Sequence, residues 1–153
     1  MIGIETIIDA DAWRRALPDA EALASRCFDA ARGRSAKLDG AVALLLGDDR
    51  ALKALNARFR GKNAPTNVLS FPSTSPGRLG DIAVAFETCV REAEEKGVSI
   101  SDHAAHLIVH GLLHLAGFDH QTDREAAAME GLEIDILDAL GISNPYGGAE
   151  GLD

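Results

Sequence analysis

Residues 99 to 120 read Ser99-Ile-Ser-Asp-His103-Ala-Ala-His106-Leu-Ile-Val-His110-Gly-Leu-Leu-His114-Leu-Ala-Gly117-Phe-Asp119-His120. Ser99 or Ser101 can cap a helix, because a short hydroxyl side chain accepts from the otherwise orphaned first-turn N–H groups. Beyond the cap, Ala104, Leu107, Ile108, Val109, Leu112, Leu113 and Leu115 fall on nearly every side of that helix. A helix that is apolar nearly all round has to run through a core. The rest of the chain must therefore supply the layers that cover it.

The same helix carries histidines. At 3.6 residues per turn, His110 and His114 stand about 40° apart around the axis and roughly 6 Å apart along it, so both rings can reach one point. Gly117 can take the left-handed conformation that ends a helix and turns the chain back, bringing His120 to the same place. Chance placement of this spacing in a chain of this composition is on the order of one in two thousand. Three imidazoles with a fourth position open describe a catalytic zinc site, one ion per chain, whereas a structural zinc takes four protein ligands and usually cysteines. The spacing also occurs in metzincin proteases, which carry a glutamate directly after the first histidine as the base. Here that residue is Gly111, which argues against a peptidase. His106, one turn before His110, is either a partner behind the ligands or a buried histidine satisfied by backbone, and the apolar helix favours the second. His103 is expected to face solvent.

Working outward, residues 2 to 8 read as a strand and residues 12 to 31 as a helix broken or kinked at Pro18. Residues 41 to 47 (AVALLLG) form a central strand, followed by a helix over about 49 to 58 that stops at Gly61. Residues 66 to 71 make a strand closed by Pro72, and residues 79 to 86 another, whose imperfect alternation suggests a sheet edge. A charged helix over 87 to 96 and a last helix to about Leu140, with Met129, Leu132, Ile136, Leu137 and Leu140 inward, complete the set. The expected architecture is α+β: a small mixed β-sheet with an antiparallel edge strand bordering a cleft, packed by helices around a metzincin-like active-site helix. Residues 1–140 form one domain, and 141–153, rich in Gly, a disordered tail.

The chain has 153 residues and a net charge of −9, yet residues 50 to 80 hold six Lys or Arg and no Asp or Glu, so the remainder carries −15. Such a window suits either an anion site or a solvated helix face. Cys27 and Cys89 match no metal or redox spacing and are expected to be reduced core residues of a cytoplasmic protein. No apolar run approaches the roughly 20 residues of a membrane helix, and the N-terminus has no basic leader pattern, so neither membrane insertion nor export is expected.

Taken together, Arg60-Gly-Lys62-Asn-Ala-Pro65-Thr66-Asn67-Val-Leu-Ser70-Phe-Pro72, the run Leu79-Gly-Asp81-Ile82, and HGLLHLAGFDH resemble the YbeY family of bacterial rRNA maturation factors, which are single-strand-specific endoribonucleases. The resemblance spans about residues 45 to 140. It implies a zinc-dependent phosphodiesterase acting on ribosomal RNA, notably the 3′ end of 16S rRNA, linked to the small ribosomal subunit, its assembly factors and ribosome quality control. It also implies that His110, His114 and His120 hold the metal and that Arg60 lines the cleft and is needed for function. Phe118 stands where the family often has tyrosine. Bidentate stabilisation of phosphate charge by a guanidinium beside a metal agrees with this. Taken alone, Arg60 reads first as a surface cation at a helix C-terminus. Lys62, Asn67 and Ser70 are candidate substrate contacts, with Thr66 beside them. Asp81, His106 and Asp119 are candidate supports for the metal ligands or ordinary turn and edge groups. Aromatic residues are 5% of the chain, so stacking platforms for single strands are expected to be scarce. The competing readings are a ribosome-assembly RNA-binding factor with a structural metal, and a zinc hydrolase of another class.

Overall fold

The computed structural model describes residues 1–61 and 66–146. Four strands, β1 (Gly3–Ile8), β2 (Ala41–Gly47), β3 (Val68–Pro72) and β4 (Arg78–Ala85), form one sheet in the order β1-β2-β4-β3. β1, β2 and β4 are mutually parallel, and β3 pairs antiparallel to β4 at the edge. Six helices cover it: α1 (Asp11–Ala16), α2 (Ala20–Arg32), α3 (Asp49–Arg60), α4 (Phe86–Lys96), α5 (Ile100–Leu115) and α6 (Asp123–Ala139). The mixed sheet with its antiparallel edge strand is as the sequence suggests.

Strand alternation sorts the core into two layers. Val42, Leu44 and Leu46 of β2 and Ile82 and Val84 of β4 face the main core, with α2, α5 and α6. Ala83 and Ala85 of β4, with Leu69 of β3, face Leu52 of α3 on the other side. β4 is thus internal and buried on both faces, not an edge strand. Its imperfect alternation is the mark of two-sided burial. The two edges are β1 and β3, and β3 is the antiparallel one that borders the cleft.

Pro18 splits the N-terminal helical stretch in two, since proline disfavours helical backbone in the residue before it and removes a donor. Trp13 of α1 is fully buried, stacks edge-to-face on Phe86 at 5.1 Å and donates its indole N–H to the Gly47 carbonyl at 2.8 Å. Asp48 caps α3 by accepting from the Ala51 N–H at 2.8 Å. The ends of α3 and α4 are tied reciprocally: Glu87 accepts from the Asp49 N–H, and Asp49 accepts from the Thr88 N–H and hydroxyl. This fixes the helix that ends in Arg60. Both cysteines are fully buried, and burial pushes each thiol up to about 12, so neither forms a thiolate at neutral pH.

α5 lies against β3 and β4, capped by Ser99, whose hydroxyl accepts from the Asp102 N–H. Gly111 is what lets it approach. A Cβ there would sit 2.9 Å from Ile82 Cγ2 and 3.1 Å from Ser70 Oγ. The glutamate of the metzincin motif is therefore excluded by packing against the sheet. Gly111→Ala is expected to cost about 1–3 kcal/mol through overpacking, read as a lowered midpoint of thermal or denaturant unfolding; an unchanged midpoint would mean that the sheet yields freely at this contact.

Of the segment 141–153, residues 141–146 are described, and Tyr146, 37% exposed, donates its hydroxyl to Glu133 of α6. The remainder of that segment lies outside the described residues.

Candidate metal centre and cleft

α5 presents His110 and His114 one turn apart. Gly117, at φ 98°, turns the chain out of the helix, and the Asp119 carboxylate accepts from the His120 N–H at 2.8 Å, forming a local turn that brings the third imidazole round. The three ring centroids lie 4.7, 5.1 and 5.6 Å apart, and one nitrogen from each falls within 4.8 Å of the others. The Nε2 atoms of His110 and His114 are 3.2 Å apart. Tetrahedral zinc at about 2.0–2.1 Å from each nitrogen would space them by roughly 3.3 Å. Two imidazole nitrogens this close require a proton or a cation between them, and the donor set suits the cation. Burial, and then the charges of His110 and His120, hold His114 below the usual histidine range, which favours the neutral form a metal needs.

Behind the three histidines lies Glu133, which is fully buried in α6. Its Oε2 accepts from His110 Nδ1 at 2.6 Å. That bond places the His110 proton on Nδ1 and turns the Nε2 lone pair toward the metal position. Oε1 accepts from His106 Nε2 at 3.0 Å and from the Tyr146 hydroxyl. Burial by itself would raise this carboxyl; the hydrogen bonds from His106, His110 and Tyr146 overcome it and hold it near 2. Its burial, and then the same carboxylate, push the Tyr146 phenol well above the usual range.

His106 thus bonds to the same carboxylate as His110, and its Nε2 is engaged by that side chain instead of by backbone. Its Nδ1 is left buried without a protein partner. His103 does not face solvent either: it is 3% exposed and bonds through Nε2 to Glu92 at 2.8 Å, because α4 packs over that side of α5. Burial lowers its basicity, with Glu92 opposing. Asp81 stands apart from the metal centre. It shares its face of β4 with Ala83 and Ala85, away from α5, and pairs with Arg78 at 2.8 Å on the surface.

A cleft of about 840 Å³ opens over the three histidines, walled by β3, the end of α3 and the loop that carries Asp119 and His120. Arg60 lines it and donates from Nη2 to the Ser70 carbonyl at 3.0 Å, with its guanidinium 5.9 Å from the Phe71 ring. Asn56, buried one turn before Arg60, also reaches it. Ser70 faces the cleft, but its hydroxyl donates to the Gly111 carbonyl at 3.2 Å and ties the edge strand to α5. Asn67 is likewise engaged, donating to Glu92 at 3.1 Å and accepting from the Val68 N–H at 2.7 Å. Lys62 lies outside the described residues. Glu133 and Tyr146 were not singled out from sequence. The available signal was an acid on the inward stripe of the last helix, between Met129 and Ile136-Leu137.

A family model described as Endoribonuclease YbeY matches residues 8–141. The chain belongs to the YbeY endoribonuclease family. The matched span holds Arg60, the three histidines and Glu133, and stops short of Tyr146. Among curated members, the Endoribonuclease YbeY of Paramagnetospirillum magneticum is 48% identical over 158 residues, covering 95% of this chain and 96% of that protein. The Endoribonuclease YbeY of Sphingopyxis alaskensis is 54% identical over 118 residues, covering 69% and 70%. The solution structure of TM1509 from Thermotoga maritima shares the fold, with a TM-score of 0.56 at 23% identity over 92% of both chains.

Proposed function

We propose that this protein is a zinc-dependent, single-strand-specific endoribonuclease that processes ribosomal RNA, including the 3′ end of 16S rRNA, and serves ribosome quality control in the cytoplasm with the small ribosomal subunit and its assembly factors. The observation that carries the reading is one cleft lined both by three convergent imidazoles and by the Arg60 guanidinium. Family membership supplies the reaction class. Among the described residues no helix is long and apolar enough to cross a membrane.

His110, His114 and His120 would hold the ion, with Glu133 orienting His110. When bound, zinc supplies Lewis acidity toward a phosphoryl oxygen and toward water. The protein contributes position and charge. Arg60 is held by the Ser70 carbonyl and the Phe71 ring, so its remaining N–H groups are pre-oriented to bind nonbridging phosphate oxygens as negative charge builds there. Gly111 leaves no glutamate at the peptidase position, so the site lacks that proton acceptor.

The test is cleavage of a single-stranded oligoribonucleotide by highly purified protein with its metal counted. Arg60→Glu is expected to keep about one zinc per chain and lose cleavage by about 100-fold or more, the scale of removing one preorganised donor to transition-state charge. Equal cleavage by wild type and variant would mark the activity as a contaminant. RNA or ribosome binding that survives in Arg60→Glu, with no cleavage by either protein, would instead favour an assembly factor whose metal is structural. Cleavage of peptides but not RNA would favour a different hydrolase.

A further inference from the structure

Two of the few aromatic rings in this chain meet beside the cleft. Phe59 is 59% exposed although it continues the apolar stripe of α3, seven residues and two turns after the fully buried Leu52, because the stripe here runs past the edge of the sheet. It packs edge-to-face on Phe71 of the edge strand at 5.5 Å, with 61° between the rings, so its orientation is set by the sheet. The Arg58 guanidinium lies 5.2 Å from the centre of the Phe59 ring, and the Arg60 guanidinium 5.9 Å from that of Phe71. Neither arginine is paired with a carboxylate among the described residues, and none occurs between residues 50 and 80. Neither ring nor Arg58 lines the cleft itself; Arg60 does, as do Ser70 and Pro72 on either side of Phe71, so the ring pair adjoins the cleft through Arg60 and the edge strand.

We propose that Phe59, braced by Phe71, is a stacking platform for an unpaired nucleobase of the RNA strand that enters the cleft, with Arg58 and Arg60 meeting the phosphates on either side of that nucleotide. The inference rests on the ribonuclease reading above and adds a subsite to it. An exposed ring held rigid costs little entropy when a base stacks on it, and every base offers a π-face, so the subsite binds without reading sequence. A base locked in a duplex has both faces covered by its neighbours. The platform therefore selects unpaired RNA, and a chain with only 5% aromatic residues needs just this one placed well.

The experiment compares wild type, Phe59→Ala and Phe59→Trp, all loaded with zinc, on a short single-stranded oligoribonucleotide and on the same strand carrying one abasic position moved stepwise along it. Phe59 is exposed, so Phe59→Ala is expected to melt like wild type. It should raise KM by roughly 5- to 100-fold, the range seen when one base–aromatic stack is removed, with kcat changed far less. Wild type should lose the same factor at one abasic position, and Phe59→Ala should lose nothing further there. The native tryptophan, Trp13, is fully buried, so Phe59→Trp adds an exposed reporter whose fluorescence should change as RNA saturates it. A wild-type KM in Phe59→Ala, or a Phe59→Trp signal unmoved by saturating RNA, would overturn the platform while leaving the ribonuclease reading intact. Failure of wild type to bind or cut any single strand would overturn both.

Discussion

His114→Ala is expected to abolish both zinc retention and RNA cleavage. Two imidazoles cannot replace three: His110 and His114 alone contribute the 3.2 Å pair of nitrogens, while His120 stands exposed on a loop and relies on that pair to define the point it must reach. Loss of a supporting partner of a metal ligand typically costs 10- to 100-fold in affinity or activity, and loss of a ligand itself should exceed that. The fold should survive, since alanine is the best helix former and His114 is only half-buried at the end of α5. The informative measurement combines metal content after dialysis with thermal unfolding in the presence and absence of zinc. Wild type should be stabilised by the ion according to its affinity, and His114→Ala should not be. A variant that keeps stoichiometric zinc and cuts RNA would show that the three histidines are not the ligand set.

Glu133→Ala is expected to have the largest effect on stability. The carboxylate is 0% exposed and accepts from three donors, His106 Nε2, His110 Nδ1 and the Tyr146 hydroxyl. Removing it leaves His110 Nδ1 without its acceptor, and His106 Nε2 and the Tyr146 hydroxyl, 3.1 Å apart, with only each other, at a cost of about 3–5 kcal/mol. Glu133→Gln keeps one acceptor oxygen and should fold better, yet zinc binding should still weaken by roughly 10- to 100-fold, because an amide holds His110 in its ligand tautomer less firmly. The pH dependence has a definite sign. The folded-state pKa of about 2 lies below the 4.5 of an unperturbed glutamate, so this group's stabilisation is fully present above about 4.5 and lost as pH falls toward 2. Glu133→Gln should flatten that part of the acid-unfolding curve. A Glu133→Gln protein with wild-type zinc affinity and the same acid limb would remove Glu133 from the metal centre.

Much of this arrangement was legible without coordinates. An apolar helix with histidines at i and i+4, then Gly at i+7 and His at i+10, brings three imidazoles to one point able to hold a metal by local geometry alone, because all the spacing lies within two turns and one tight reversal. The helix caps, the break at Pro18, the central position of β2 and the mixed sheet were local or periodic signals of the same kind. The residues of the RGK and TNVLSF segments pointed toward a shared cleft only through their resemblance to a family.

What the tertiary structure decided are the relations between distant segments. Glu133 becomes the partner of His110 because α6 packs on α5, a contact across 23 residues that no spacing encodes. Tyr146 joins it because the chain folds back after α6. His103 is buried because α4 covers it, and β4 is internal because β3, the preceding strand in sequence, is added outside it. The Phe59–Phe71 pair arises in the same way, from a helix end and an edge strand brought together by the sheet. The convergence of the three histidines is a local property, set by residues a few positions apart on one helix and the turn that ends it, whereas the reaction class came from a family resemblance spread over about residues 45 to 140. The carboxylate behind the metal, the wall that carries Arg60 and the aromatic rim were decided only by packing, because burial and hydrogen bonding between segments are properties of the closed core.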